Sequence, residues 1–154
     1  MGINIRQKGA NAERDIADDL NAIIHDVRSA MGLEPLAKPM VQRNQNQSAV
    51  GGKDLVGTFG LAIEVKRQEQ LSINTWWAQC VKSADELKET PVLLFKQSHK
   101  KWRCIIPAML QLPTSPAVVY STLTTRAEID YDAFKQYFRE LVGRTLYNEI
   151  SKTV

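Results

Sequence analysis

The chain has 154 residues, 44% hydrophobic and 24% charged, with 20 Lys and Arg against 17 Asp and Glu for a formal net charge of +3. That size and balance suit one globular domain burying its own core and exclude wholesale disorder. No apolar run approaches the ~18–20 residues of a bilayer span, the first residues lack the apolar segment of a signal peptide, and two cysteines are too few for a disulfide framework or a four-ligand zinc site. The expectation is a cytoplasmic chain with reduced thiols and no membrane partner.

In chain order, Ile16, Leu20, Ile23, Ile24, Val27 and Met31 recur at helical spacing, which predicts a helix over 11–31 with Gly32 as its stop. Two prolines make 33–39 a loop, 40–43 suits a short strand, and 44–48 is a polar loop ahead of Gly51 and Gly52. A short run at 54–56, a turn at 57–60 and the clear strand 61–66 predict a β-hairpin. Ser72 or Asn74 is placed to cap a helix reaching residue 88, with Ile73, Trp77, Cys80, Ala84 and Leu87 as its stripe. Residues 92–95 and 102–106 read as neighbouring strands joined by a basic turn at 97–101. Residues 117–120 read as an edge strand and 130–150 as a last helix, weakened by Gly143. The expected fold is α/β, a single domain over 1–154 with a central mixed sheet flanked by helices.

Charge is uneven along the chain. Between Lys38 and Arg67 five basic residues face two acids, and between Lys96 and Arg103 there are four basic residues and no acid. A locally basic surface on a nearly neutral chain suits a phosphate-backbone partner, and equally suits solvated charge.

The strand 61–66 holds the most informative residues. Alternation puts Glu64 and Lys66 on one face and Ile63 and Val65 on the other. A hairpin turning at 57–60 brings Asp54 opposite Glu64, within one residue of register. Two adjacent carboxylates repel unless a positive charge sits between them, and hard oxygen donors at that spacing suit Mg²⁺. A lysine beside such a metal is able to orient hydroxide or neutralise a phosphoryl transition state. The alternative leaves Asp54 a turn residue and Glu64 and Lys66 an exposed polar face. Glu13 bears on the choice: at ~100° per residue it shares the apolar stripe of the first helix with Leu20, Ile24 and Met31. From there it points towards the sheet, while Asp15, Asp18 and Asp19 face water.

The ordered trio Gly9-x-x-x-Glu13-Arg14, Gly52-x-Asp54 and Glu64-x-Lys66 resembles the PD-(D/E)XK nucleases. Within them, its order and spacing most resemble the archaeal-type and phage Holliday junction resolvases. The likeness covers about residues 6–106, with the strand and helix of 117–150 beyond it, and departs from the eponymous motif in having Lys53 where proline precedes the aspartate. It implies a restriction-endonuclease-like core and a Mg²⁺-dependent DNA endonuclease, Mn²⁺ being a possible substitute. It also implies that Asp54, Glu64 and the Val65 carbonyl hold the metal, that Lys66 positions the attacking water, and that Glu13 binds the metal directly or through water. Gln79 matches a glutamine placed near the metal in many of these enzymes, although helical counting puts it on the flank of the stripe. Products with 5′-phosphate and 3′-hydroxyl ends are expected, and the paired cuts of a four-way junction call for a homodimer.

Arg6, Lys8, Arg14, Arg43, Lys53 and Arg67 surround these motifs and are candidates for DNA phosphates, as is Ser48 in the polar loop. His25 and His99 lack metal-ligand spacing, and Cys80 and Cys104 read as packing residues. Of Trp76 and Trp77, one is expected in the core and the other on a dimer surface. Phe134, Tyr137, Phe138 and Leu141 form a stripe for core or dimer packing. The alternatives are another nuclease of the superfamily (restriction-like, nicking or flap-cutting) and a non-catalytic DNA-binding module, in which the same charges form an ion-pair network.

Overall fold

The computed structural model describes residues 4–45, 53–118 and 121–153; Ser48, Gly51, Gly52 and the end of the expected strand at 117–120 lie outside them. The first helical stripe forms α1 (Ile5–Ala30), with Ile16, Leu20, Ile23, Ile24 and Val27 buried. The helix begins at Ile5 rather than at residue 11 because Asn4 caps it, its side chain accepting a hydrogen bond from the Arg6 N–H at 3.0 Å. Those first turns bury no side chain, their one large apolar residue, Ile5, being exposed, so periodicity alone misses them.

Strands β1 (Gln42–Arg43) and β2 (Leu55–Val56) pair with each other, antiparallel, with Arg43 opposite Leu55. The expected hairpin between 54–56 and 61–66 therefore does not form, and β3 (Leu61–Arg67) pairs in parallel with β4 (Thr90–Lys96) instead. The reason lies in Asp54. Its N–H donates to the Ile63 carbonyl at 3.0 Å, but its carboxylate, not its backbone, accepts the next N–H along β3, that of Val65, at 2.7 Å. A side chain interrupts the ladder where a hairpin needs main chain.

A crossover through α2 (Ile73–Leu87) joins the two parallel strands, as such pairs require. Ser72 is its N-cap residue, and Lys88 ends it in the left-handed conformation at φ 55°. The chain then turns back antiparallel into β5 (Arg103–Pro107), paired to β4, and later into β8 (Arg126–Asp130), paired to β5. The sheet order is β3-β4-β5-β8, mixed as expected. Strand β8 was not anticipated: only Ala127 and Ile129 are apolar, too weak a pattern. The edge strand expected at 117–120 is instead β7 (Ser115–Val118), paired with β6 (Leu110–Leu112) in a separate two-stranded sheet. The last helix, α3 (Tyr131–Lys152), starts after Asp130.

The two faces of the sheet are covered differently. Leu61, Ile63, Val65, Val92 and Leu94 pack beneath α1 and α3, including Phe134, Phe138 and Val142. Leu93, Phe95 and Ile105 pack beneath α2, against Trp76, Trp77, Cys80 and Val81. Both tryptophans are buried, so the expectation of an exposed one is corrected: Trp76 tilts against Phe95, and the Trp77 indole N–H donates to the Thr122 carbonyl at 3.2 Å. Phe134 and Phe138 are core, while Tyr137 of the same stripe is exposed. Among the described residues no helix is long and apolar enough to cross a membrane.

Candidate active site

Strand β3 is an edge of the main sheet, and the candidate site lies along it. Asp54 lies beside it through the two hydrogen bonds above, and Asn44 fixes its backbone from the other side. The Asn44 N–H donates to the Asp54 carbonyl at 2.8 Å and its side-chain amide donates to the Lys53 carbonyl at 2.9 Å. Glu64 projects to the α2 face and is only 7% exposed. The Asp54 and Glu64 carboxyls lie close enough to act on each other's ionisation.

Burial pushes both above the ordinary carboxylate range. For Asp54 the Val65 N–H works against that rise; for Glu64 the charge of Asp54 reinforces it. Lys66 is the nearby cation, its Nζ 4.0 Å from Glu64 Oε2. Along a strand each residue sends N–H and C=O to one side, alternating by residue. Because the Ile63 carbonyl and the Val65 N–H both meet Asp54, the Val65 carbonyl faces the same edge.

Glu13 is 8% exposed, on the buried side of α1, and its charge acts on both Asp54 and Glu64. Its carboxylate is engaged by Arg43, whose Nε donates to Oε2 at 2.7 Å. The structure thus brings Asp54, Glu64 and Lys66 together and sets Glu13 beside them in an ion pair of its own. Among the described residues, no three His, Cys, Asp or Glu side chains converge as a metal cage. Two buried, mutually repelling carboxylates still fit a divalent cation, and Mg²⁺ in particular takes one or two carboxylates and keeps several waters.

A model of the family described as "Phage putative PDDEXK endonuclease" matches residues 4–152. The chain belongs to this family. Nucleases of the PD-(D/E)XK superfamily generally use divalent metal ions and act on DNA. Among solved structures, the chain is similar to Hjc of Archaeoglobus fulgidus, a Holliday junction resolvase from an archaeal hyperthermophile. The likeness has 17% identity and a TM-score of 0.46, covering 84% of this chain and 96% of that one. No curated protein matches the chain.

Membership of a nuclease family directs attention to the basic residues, and three of the expected phosphate contacts have acidic partners inside the chain. Lys8 bonds Glu69 at 2.8 Å, Arg43 bonds Glu13, and Lys53 bonds both carboxylate oxygens of Glu89. Arg6 and Arg14 are exposed, the latter donating to Asn11 at 3.0 Å. Arg67 is half-buried, with its Nε enclosed and no hydrogen-bond partner among the described residues. Gln79 lies on the exposed side of α2, next to Cys80. The Cys80 thiol donates to the Val92 carbonyl at 3.4 Å; burial pushes it up, and pushes Cys104 up to about 12, so neither is a nucleophile at neutral pH.

Asn44 and Glu89 were not singled out from the sequence. Asn44 falls in a polar run that reads as loop, and Glu89 stands 36 positions from its partner, in what reads as a solvated helix end.

Proposed function

We propose that the chain is a divalent-metal-dependent DNA endonuclease that cuts four-way junctions as a homodimer. The buried Asp54–Glu64 pair beside Lys66 carries the catalytic part of this reading. The junction part rests on the order and spacing of the Glu13, Asp54 and Glu64-x-Lys66 motifs. Asp54, Glu64 and the Val65 carbonyl would hold Mg²⁺, with Mn²⁺ as a substitute, and Glu13 would reach the ion directly or through water. The bound cation would supply a water of lowered pKa and charge to offset the phosphoryl transition state.

The chain's own groups have separable roles. Lys66 brings a positive charge to the attacked phosphate, where it stabilises the oxygens as negative charge builds, and it orients the water for in-line attack. Arg43 fixes the Glu13 carboxylate. Arg6, Arg14 and Arg67 would meet the DNA backbone, contacts that set position without reading bases. One chain offers one such site, so paired cuts need two chains. The place of action would be the cytoplasm of a bacterial or phage-infected cell.

The test is cleavage of a synthetic four-way junction beside a matched linear duplex, in Mg²⁺ or EDTA, by the parent and Asp54→Asn. Paired Mg²⁺-dependent nicks confined to the junction and lost in the variant are expected. Equal cutting of both substrates would leave a nuclease without junction preference. Junction binding with no cleavage under either condition would leave a non-catalytic DNA-binding module.

A further inference from the structure

Lys53, read from sequence as a DNA contact, is turned inward. Its Nζ donates to both oxygens of Glu89, at 2.7 and 2.9 Å, and the two side chains are only 15% and 17% exposed. A bidentate pair so withdrawn from water is not the loose surface bridge that contributes little. Its ends are fixed in different parts of the fold. Lys53 directly precedes Asp54, and its carbonyl is held by Asn44. Glu89 directly follows the left-handed Lys88 that ends α2, its N–H donates to the Ala84 carbonyl at 2.9 Å, and it leads into β4. Helix α2 also covers the sheet face that carries Glu64, with the Cys80 thiol donating to the carbonyls of Ala62 and Val92 on either strand. Both carboxylates of the candidate site are thereby referenced to one helix, Glu64 through packing and Asp54 through the bridge.

We propose that Lys53 and Glu89 are a positioning pair that sets Asp54 against Glu64 for metal binding, and that Lys53 does not contact DNA. The inference rests on the metal-site reading above. Lys53 and Glu89 touch neither metal nor phosphate; they act through the backbone of Asp54. Partners of ligand-bearing groups change metal affinity by about 10–100-fold when removed.

The experiment measures Mn²⁺ affinity of the DNA-free protein by electron paramagnetic resonance, and junction affinity in EDTA. The variants are Lys53→Met, Glu89→Gln, the combination of both, and the exchange Lys53→Glu with Glu89→Lys, with Asp54→Asn as control. Each single variant is expected to lose about 10–100-fold in Mn²⁺ affinity with junction affinity unchanged. The combination is expected to be no worse than either single change, as for two residues acting as one unit. The exchange should recover Mn²⁺ affinity, and it keeps a pair in place if a single change leaves too little folded protein to titrate. Unchanged Mn²⁺ affinity in the singles, or an exchange that folds without recovering it, overturns the positioning role. Weaker junction binding for Lys53→Met with tighter binding for Glu89→Gln would make Lys53 a phosphate contact restrained by Glu89, and overturns it as well. Full Mn²⁺ affinity in Asp54→Asn would instead remove the metal site itself, a result separate from the others.

Discussion

Arg43 donates from Nε to Glu13 Oε2 at 2.7 Å, across 30 positions of sequence, and so joins the short strand β1 to the buried side of α1. Glu13 is 8% exposed. A carboxylate there without a partner would carry its full desolvation cost.

Arg43→Met should therefore destabilise the fold by about 1–3 kcal/mol, the usual cost of orphaning a buried polar group. Adding Glu13→Gln should recover part of the loss. Urea unfolding of both variants checks this, and an Arg43→Met protein as stable as the parent would show that Glu13 finds another partner.

The carboxylate pair makes stability depend on pH in a definite direction. Burial, then the neighbouring Asp54, push the Glu64 carboxyl from an ordinary 4.5 up to about 8. The folded chain keeps a proton that the unfolded chain releases, so its stability falls as pH climbs from about 4.5 to about 8 and levels off above. In EDTA the urea midpoint should drop more between pH 5 and pH 8 for the parent than for Glu64→Gln. Equal drops would mean that other groups set the profile. Mg²⁺ should raise the parent's midpoint most at the alkaline end, where it no longer competes with the proton.

Two glycines of the turn before β3 separate backbone strain from collision. Gly57 and Gly60 have φ of +77° and +85°, but a Cβ on Gly57 would lie 2.1 Å from the Met40 carbonyl oxygen, while one on Gly60 meets nothing within 4 Å. Gly60→Ala should cost about 1–2 kcal/mol from the left-handed conformation alone. Gly57→Ala should cost clearly more, because β1 and β2 must separate to admit it. Thermal unfolding of the two variants side by side measures the difference, and equal losses would show that the Met40 segment yields freely.

Gly143 offers the opposite case. It lies inside α3, and an added Cβ would meet only Val27 Cγ1 of α1, at an ordinary 3.9 Å. Gly143→Ala should stabilise the chain by about 0.5–1 kcal/mol through helix propensity. A lower melting temperature would reveal tighter packing between α1 and α3.

The residues that were legible in sequence are those whose placement follows from a local period. Alternation along 61–66 put Glu64 and Lys66 on one face, and angular counting along α1 put Glu13 with its buried stripe, as the structure finds. Asp54 was placed within a residue of its observed position because the Gly57–Gly60 turn limits where the chain can return. The hairpin was misread for a reason no pattern exposes: the side chain of Asp54, not its backbone, meets the Val65 N–H. The Lys53–Glu89 bridge was equally invisible, since neither residue has an apolar period around it that would mark it as turned inward.

The contact between Asp54 and Val65 bears on how inactive variants should be made. A sheet edge exposes backbone donors that another chain's strand can add to, and proteins cover such edges to stay unassociated. On β3 the Asp54 carboxylate occupies one of those donors. Removing the side chain altogether, as in Asp54→Ala, would uncover it and invite strand addition between molecules. A loss of cleavage could then reflect clumped protein rather than a missing ligand. Asn retains an oxygen that can accept from Val65, which makes Asp54→Asn the cleaner knockout for every comparison described above.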